Sequence, residues 1–191
     1  VDKAKIILAS KSPRRVSLLS LLGIPFESIS VDAHEVSLNT PHDTVTENAR
    51  IKAKKASALY PNTPVLTGDT VVDLEGKQIE KPSDINHARE ILIRLSSKTH
   101  RVVSGVAMSF GNQAIEIRTA VSMVEFVELT DHDIDKYLHH VNVTDKAGAY
   151  GIQEYGYRLA RSIKGELSNV MGLPLTVTFE LIRLAFEKGF V

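Results

Sequence analysis

The chain has 191 residues, with 23 Lys plus Arg against 23 Asp plus Glu and a formal net charge of zero at pH 7. That balance excludes a protein that neutralises a long run of nucleic-acid phosphates, and equally an acidic solvating tail. Hydrophobic residues at 43% and charged residues at 24% describe a soluble globular chain, long enough for one sizeable domain or two small lobes.

The elements follow in chain order. Ile6 to Ala9 is a short continuous apolar run that reads as a buried strand, too short for a signal-peptide core. Ser12-Pro13 suits the start of a helix carrying Leu18, Leu21 and Leu22, with Gly23 at its end. Phe26 to Val31 reads as a strand. Thr44 with Glu47 makes a capping box for a helix to about Leu59, closed by Pro61. Val65 to Asp73 is strand-like, and Glu75-Gly76 reads as a hairpin turn into Gln78 and Ile79. Ser83 or Asp84 caps a helix with Ala88, Ile91, Leu92 and Leu95. Val102 to Phe110 and Ala114 to Val127 are long strands joined at Gly111-Asn112. Thr130 with Asp133 opens a short helix. Lys146 to Gly172 is Gly-rich and mixed in pattern, and Leu175 to Lys188 forms a last helix before Gly189. The alternation, interrupted by a long hairpin, predicts an α/β fold with a mixed, partly antiparallel twisted sheet flanked by helices.

Three segments carry candidate chemistry. Ser10-Lys11-Ser12-Pro13-Arg14-Arg15 follows a buried strand and opens a helix, where free N–H groups attract anions. Two readings stay open there: a phosphate site, or a capped helix with two solvated arginines. Asp69 ends an apolar strand in Thr67-Gly68-Asp69-Thr70. It is either a functional acid that holds a metal or positions water, or a turn-forming Asp. In Asp145-Lys146-Ala147-Gly148-Ala149-Tyr150-Gly151-Ile152-Gln153, small residues let backbone approach a ligand, and Gln153 offers a donor and an acceptor to a base edge. The alternative is a Gly-rich loop packed on the sheet. Taken alone, Lys52 and Lys81 read as solvated lysines, and His34 with Glu35 as a surface loop. Asn169 is open between capping and binding. Asp131, Asp133 and Asp135 read as helix-dipole complements rather than a metal cluster, and His139-His140 reads as structural. With no cysteine, any metal site must use oxygen or imidazole ligands, and a thiol nucleophile is excluded.

In this order, the segments resemble the Maf family of septum formation inhibitor-like nucleotide pyrophosphatases. The matching residues are Leu8-Ala9-Ser10 with Ser12-Pro13-Arg14-Arg15, Glu35, Ala49 with Lys52-Ala53, Asp69-Thr70-Val71-Val72 and Lys81-Pro82. They continue with His100-Arg101-Val102, Ser104-Gly105-Val106, Lys146 through Gln153, and Asn169-Val170 with Gly172-Leu173-Pro174. The resemblance implies a single Maf-like domain over 1–191, with two lobes around a central cleft as in inosine triphosphatases. It implies hydrolysis of nucleoside triphosphates to monophosphate and pyrophosphate, by a cytoplasmic homodimer using a divalent cation (Mg, Mn or Co). The Ala149-Tyr150-Gly151-Ile152-Gln153 version resembles the branch acting on dTTP and UTP.

Carried over by position, Asp69 matches the essential acid and Glu35 its partner carboxylate, both as metal ligands. Lys52 and Lys81 match catalytic, phosphate-binding lysines. Ser10, Arg14 and Arg15 match the triphosphate loop, and Gln153 with Arg14 the pyrimidine-selective positions. Glu154 departs from the family pattern, in which Gly is usual. The expected reaction is metal-assisted attack of water at the α-phosphate, faster at alkaline pH. A non-catalytic nucleotide-binding regulator of cell division is the rival reading. Stable nucleic-acid binding is not expected, given the balanced charge, 6% aromatic content and absence of Trp. Nor is membrane association, since no apolar run nears the roughly 18 residues of a span.

Overall fold

The structure, a computed structural model, describes residues 5–111 and 114–191. Among these residues seven strands form one mixed sheet. β1 (Ile6–Ala9) is buried along its whole length, which its unbroken apolar run requires. It lies parallel to β2 (Phe26–Ile29) on one side and to β3 (Pro64–Leu74) on the other. β3 turns back at Glu75-Gly76, both at positive φ, into the antiparallel β4 (Lys77–Ile79). The long strands β5 (Thr99–Phe110) and β6 (Ile115–Phe126) continue the sheet antiparallel, and β7 (Ala160–Lys164) closes the edge. The order is β2-β1-β3-β5-β6-β7, with β4 on β3. Asn112, in the expected turn between β5 and β6, lies outside the described residues.

Among the described residues six α-helices cover the sheet: α1 (Pro13–Ser20), α2 (Pro41–Leu59), α3 (Ile85–Leu95), α4 (Asp131–His140), α5 (Leu167–Met171) and α6 (Leu175–Glu187). α2 starts earlier than its Thr44 signal implies. Thr40 is the N-cap, its hydroxyl accepting from Asp43 N, and Pro41 fills the first turn. Thr44 instead accepts from Leu38 N at 2.9 Å, tying down the preceding loop. The capping box at Thr130 and Asp133 forms as its sequence implies. β7 is the one strand without a sequence signal, because Ala160–Lys164 is a half-buried edge segment with little β-branched content.

The long strands β3 and β5 serve two apolar clusters. Leu66, Val106, Met108 and Phe110 pack with α1 and α6. Farther along, Val72, Leu74 and Val102 pack with α3 and α4. Between these stretches β3 and β5 turn polar, at Thr67, Asp69, Thr70 and Ser104. α2 lies close over this band. Gly105 is paired with Asp69 across the ladder, and a Cβ on Gly105 would sit 2.6 Å from the Val45 carbonyl oxygen of α2. Buried Ala49 and Ala53 of α2, with Ala107 of β5, extend this contact between small residues. Directly opposed residues share a sheet face, so Asp69 also projects towards α2.

Candidate active site

Asp69 is 8% exposed, deep for a carboxylate, and both its oxygens are bonded. Oδ1 accepts from Lys52 Nζ at 2.8 Å, and Oδ2 accepts from Asn48 Nδ2 at 3.0 Å. Lys52 Nζ also lies 2.6 Å from Glu35 Oε1, so one ammonium bridges two carboxylates. Lys52 and Asn48 are one turn apart on α2 and face the same way. Lys54 and Lys55 beside them are exposed, as surface lysines are. Asn48 does a second job: it accepts from Val36 N at 2.8 Å and donates to Val36 O at 3.0 Å. A single buried amide thus holds Asp69 and the backbone next to Glu35 in one frame.

The adjacent arginines differ. Arg14 points along the cleft and pairs with Asp145 Oδ2 at 2.6 Å. Burial raises the Asp145 carboxyl, but hydrogen bonds from Lys146 and Arg14 outweigh it and hold the group below its ordinary value. Arg15 turns inward and donates to Gly172 O at 2.8 Å, Gly68 O at 2.7 Å and Thr70 Oγ1 at 3.4 Å. Burial lowers the Arg15 guanidinium from its ordinary value, with nearby Asp69 acting the other way. These neighbouring acceptors explain how two cations can sit at the positive end of a helix dipole. Ser10 Oγ accepts from Ser12 N at 3.2 Å.

The far wall is the segment from Asp145 to Gln153. Tyr137 of α4 accepts from Gly151 N at 2.9 Å, and burial pushes its phenol up to about 12. Tyr150 shares a 2.8 Å hydrogen bond with His100 Nε2, and both pack edge-on against Phe126. Burial lowers His100 to about 4 and raises Tyr150. Two buried tyrosines therefore anchor the loop. Asn169 lies inside the fold, donating to Val102 O and Ser122 Oγ, each at 3.0 Å.

Arg14, Arg15, Glu35, Lys52, Asp69, Lys81 and Gln153 all line one polar cleft. Ser10 lies in an adjoining recess shared with Arg14, Glu35, Lys52 and Lys81.

Residues 5–185 match the family model described as Maf-like protein. The chain belongs to the Maf family. It is 39% identical over 184 residues to the dTTP/UTP pyrophosphatase of Pyrococcus furiosus, which covers 96% of each chain. It is 42% identical over 183 residues to that of Phocaeicola vulgatus, covering 92% of this chain and 93% of the relative. With the dTTP/UTP pyrophosphatase of Salmonella typhimurium the identity is 41% over 180 residues, covering 93% and 91%. Among solved structures, a nucleoside-triphosphatase from Mycobacterium abscessus aligns with 95% of this chain and 97% of its own, at a TM-score of 0.47 and 14% identity. That likeness is too distant to bear on any residue.

Asn48 and Tyr137 lie outside the motifs that the sequence offers, and Lys146 and Glu154 lie within or beside one of them. Asn48 had a usable signal, an amide one turn before Lys52 on the Ala-rich face of α2. Lys146 and Glu154 were visible in sequence, but their pairing was not. Tyr137 carried no signal, since its partner is a backbone N–H in a distant loop.

Proposed function

We propose that the protein is a nucleoside triphosphate pyrophosphatase. It hydrolyses dTTP and UTP, and modified pyrimidine nucleotides, to the monophosphate and pyrophosphate. The observation that carries this reading is the Glu35–Lys52–Asp69 bridge in a cleft that Arg14, Lys81 and Gln153 also line. A non-catalytic regulator of cell division would need the cations but not two carboxylates aimed at one point. The names of the Maf relatives support the same substrates.

The donor set fits a divalent cation. Glu35 and Asp69 present hard oxygens, suited to Mg, Mn or Co. Among the described residues no group of three or more His, Cys, Asp and Glu forms a protein-only cage, so phosphate oxygens and water would complete the coordination. Charge leads to the same place. The cleft is lined by five cations (Arg14, Arg15, Lys52, Lys81, Lys146) and three carboxylates (Glu35, Asp69, Asp145). The surplus of two falls short of the roughly four negative charges of a triphosphate, and a divalent ion makes up the difference. When bound, that ion supplies charge at the α-phosphoryl group and the departing pyrophosphate, and makes nearby water more acidic.

The chain's own residues do the rest. Asp69 orients the attacking water and accepts its proton. Lys52 offsets the repulsion between the carboxylates and keeps them in register. Arg14 and Lys81 hold the phosphates, with Ser10 and the first turn of α1 behind them. Arg15, whose donors meet backbone carbonyls, fixes the wall on which they stand. Gln153 meets the base. The two apolar clusters correspond to two lobes of one domain. Exposed Val121 and Met123 on β6, with Phe179 and Phe186 on α6, supply apolar surface for a homodimer. No helix among the described residues is long and apolar enough to cross a membrane, and the reading places the enzyme in the cytoplasm.

The test is a panel of canonical and modified nucleoside triphosphates assayed with Mg, Mn and Co. Multiple-turnover release of pyrophosphate from dTTP and UTP, faster at alkaline pH, is the expected result. Release of inorganic phosphate instead, or binding without turnover, would sink the reading. Sedimentation checks the dimer, and a flat response to oligonucleotides across a salt titration checks the absence of nucleic-acid binding.

A further inference from the structure

A carboxylate stands behind Gln153. Glu154 Oε1 accepts from Gln153 Nε2 at 2.9 Å, and Glu154 Oε2 lies 3.3 Å from Lys146 Nζ. Lys146 is only 5% exposed, and its ammonium also donates to Asp145 Oδ1 at 2.9 Å and to the Asn142 carbonyl. Asp145 in turn holds Arg14. Charges therefore alternate from Arg14 through Asp145 and Lys146 to Glu154, which is anchored from behind. Gly151 leaves room for this convergence: a Cβ there would lie 2.9 Å from Lys146 Cε, 3.1 Å from Glu154 Oε1 and 3.2 Å from Gln153 Nε2.

The chemistry of an amide gives the arrangement a consequence. A Gln side chain carries an acceptor at one end and donors at the other, and a half-turn exchanges them. An ionised carboxylate only accepts, so Glu154 can be met by Nε2 and never by Oε1. The order of the remaining acceptor and donor on Gln153 is thereby settled before any ligand arrives. Uracil and thymine present an N–H donor at position 3 beside a carbonyl acceptor at position 4. Cytosine presents an acceptor at position 3 beside an amine donor at position 4, the reverse order. An amide free to turn over reads either edge, whereas a held amide reads one.

We propose that Glu154 is a specificity-determining positioning residue, which holds the Gln153 amide in the orientation that accepts uracil and thymine and rejects cytosine. The proposal rests on the reading of Gln153 as the base contact. It concerns base choice, not the phosphate chemistry at Asp69.

The experiment measures kcat/KM for UTP and CTP by pyrophosphate release in the wild type, Glu154→Gln, Glu154→Gly and Gln153→Ala. In Glu154→Gln the new amide can meet either end of Gln153. UTP turnover is expected to fall and CTP turnover to rise in absolute terms, lowering the UTP-to-CTP ratio by about tenfold, the scale of one mismatched polar contact. Glu154→Gly, which removes the partner outright, should move the ratio the same way. A rise with CTP cannot come from damage to the fold. If both Glu154 variants lower the two nucleotides in proportion while Gln153→Ala abolishes the preference, Glu154 is merely structural and the proposal is overturned with the base contact intact. If Gln153→Ala leaves the ratio unchanged, the base contact itself is wrong and the proposal falls with it.

Discussion

The two ends of the cleft are built differently. The carboxylate end stands on regular elements: Asp69 in the middle of β3, with Lys52 and Asn48 one turn apart on α2. Its contacts run across a close backbone approach at Gly105. The base end is a loop with short 3-10 turns, held by side chains that reach it from elsewhere, Tyr137 from α4 and His100 from β5. Bond making and breaking tolerates little misplacement, and a strand and a long helix supply that rigidity. On the proposed reading, base recognition sits on this loop, at its exposed Gln153.

If that contrast is right, damage at the first end should reach turnover on every substrate, while damage at the second should redistribute substrates. The largest expected effect is from Asp69→Asn, a loss of about a thousandfold in kcat on UTP and dTTP alike, in the range for a removed general base. Circular dichroism should show a folded protein. Near wild-type turnover would break the assignment. Asn48→Ala should follow, with a fall of about tenfold in kcat on all substrates and a stability loss of about 2 kcal/mol, because buried polar groups on Asp69 and Val36 lose their partner. Equal activity in the presence of the predicted destabilisation would show that Asn48 supports the fold and not the carboxylate.

At the base end, Tyr137→Phe removes the acceptor for Gly151 N. It is expected to raise KM severalfold and leave kcat nearly unchanged, at a cost of about 1 kcal/mol in stability. A kcat effect as large as that of Asn48→Ala would erase the distinction between the ends. The last effect is one of pH, and it concerns stability and not turnover. Burial holds His100 near 4 in the folded state, below its ordinary 6.5. The unfolded chain therefore binds a proton first, so His100 contributes stability above about 6.5 that is lost as pH falls towards 4. In denaturant titrations His100→Gln should make the acid slope shallower by as much as about one proton. An unchanged slope would mean that other groups drive acid unfolding.

Much of the fold was legible where local signals are strong. β1 is announced by four consecutive apolar residues, the β3–β4 turn by Glu75-Gly76, and α4 by its capping box. β7 was not, because an edge strand with one half-buried face needs no hydrophobic pattern of its own. The start of α2 was misplaced by one turn, since Thr40 and Thr44 carry the same hydroxyl and only the fold assigns one to the helix end and the other to the loop. At the site, Asp69 read as an acid at the end of an apolar strand or in a turn, whereas it lies in the middle of β3 because the ladder with β5 runs on past it, and Lys52 on its own looked like one of three surface lysines.

The sequence by itself determined the alternation of elements, the absence of thiol chemistry and a net charge of zero, and its ordered motifs carried the likeness to Maf proteins. Those properties reside in composition and in short-range pattern. Tertiary structure decided which charges meet. It sent Arg14 to Asp145 and Arg15 into backbone carbonyls, though the two are neighbours. It set Lys52 between Glu35 and Asp69, and Glu154 between Lys146 and Gln153. The arginines' partners are 53 to 157 residues away in the chain, and hydrogen-bond and ion-pair energies depend on distances of a few ångströms that only the packed sheet and helices define.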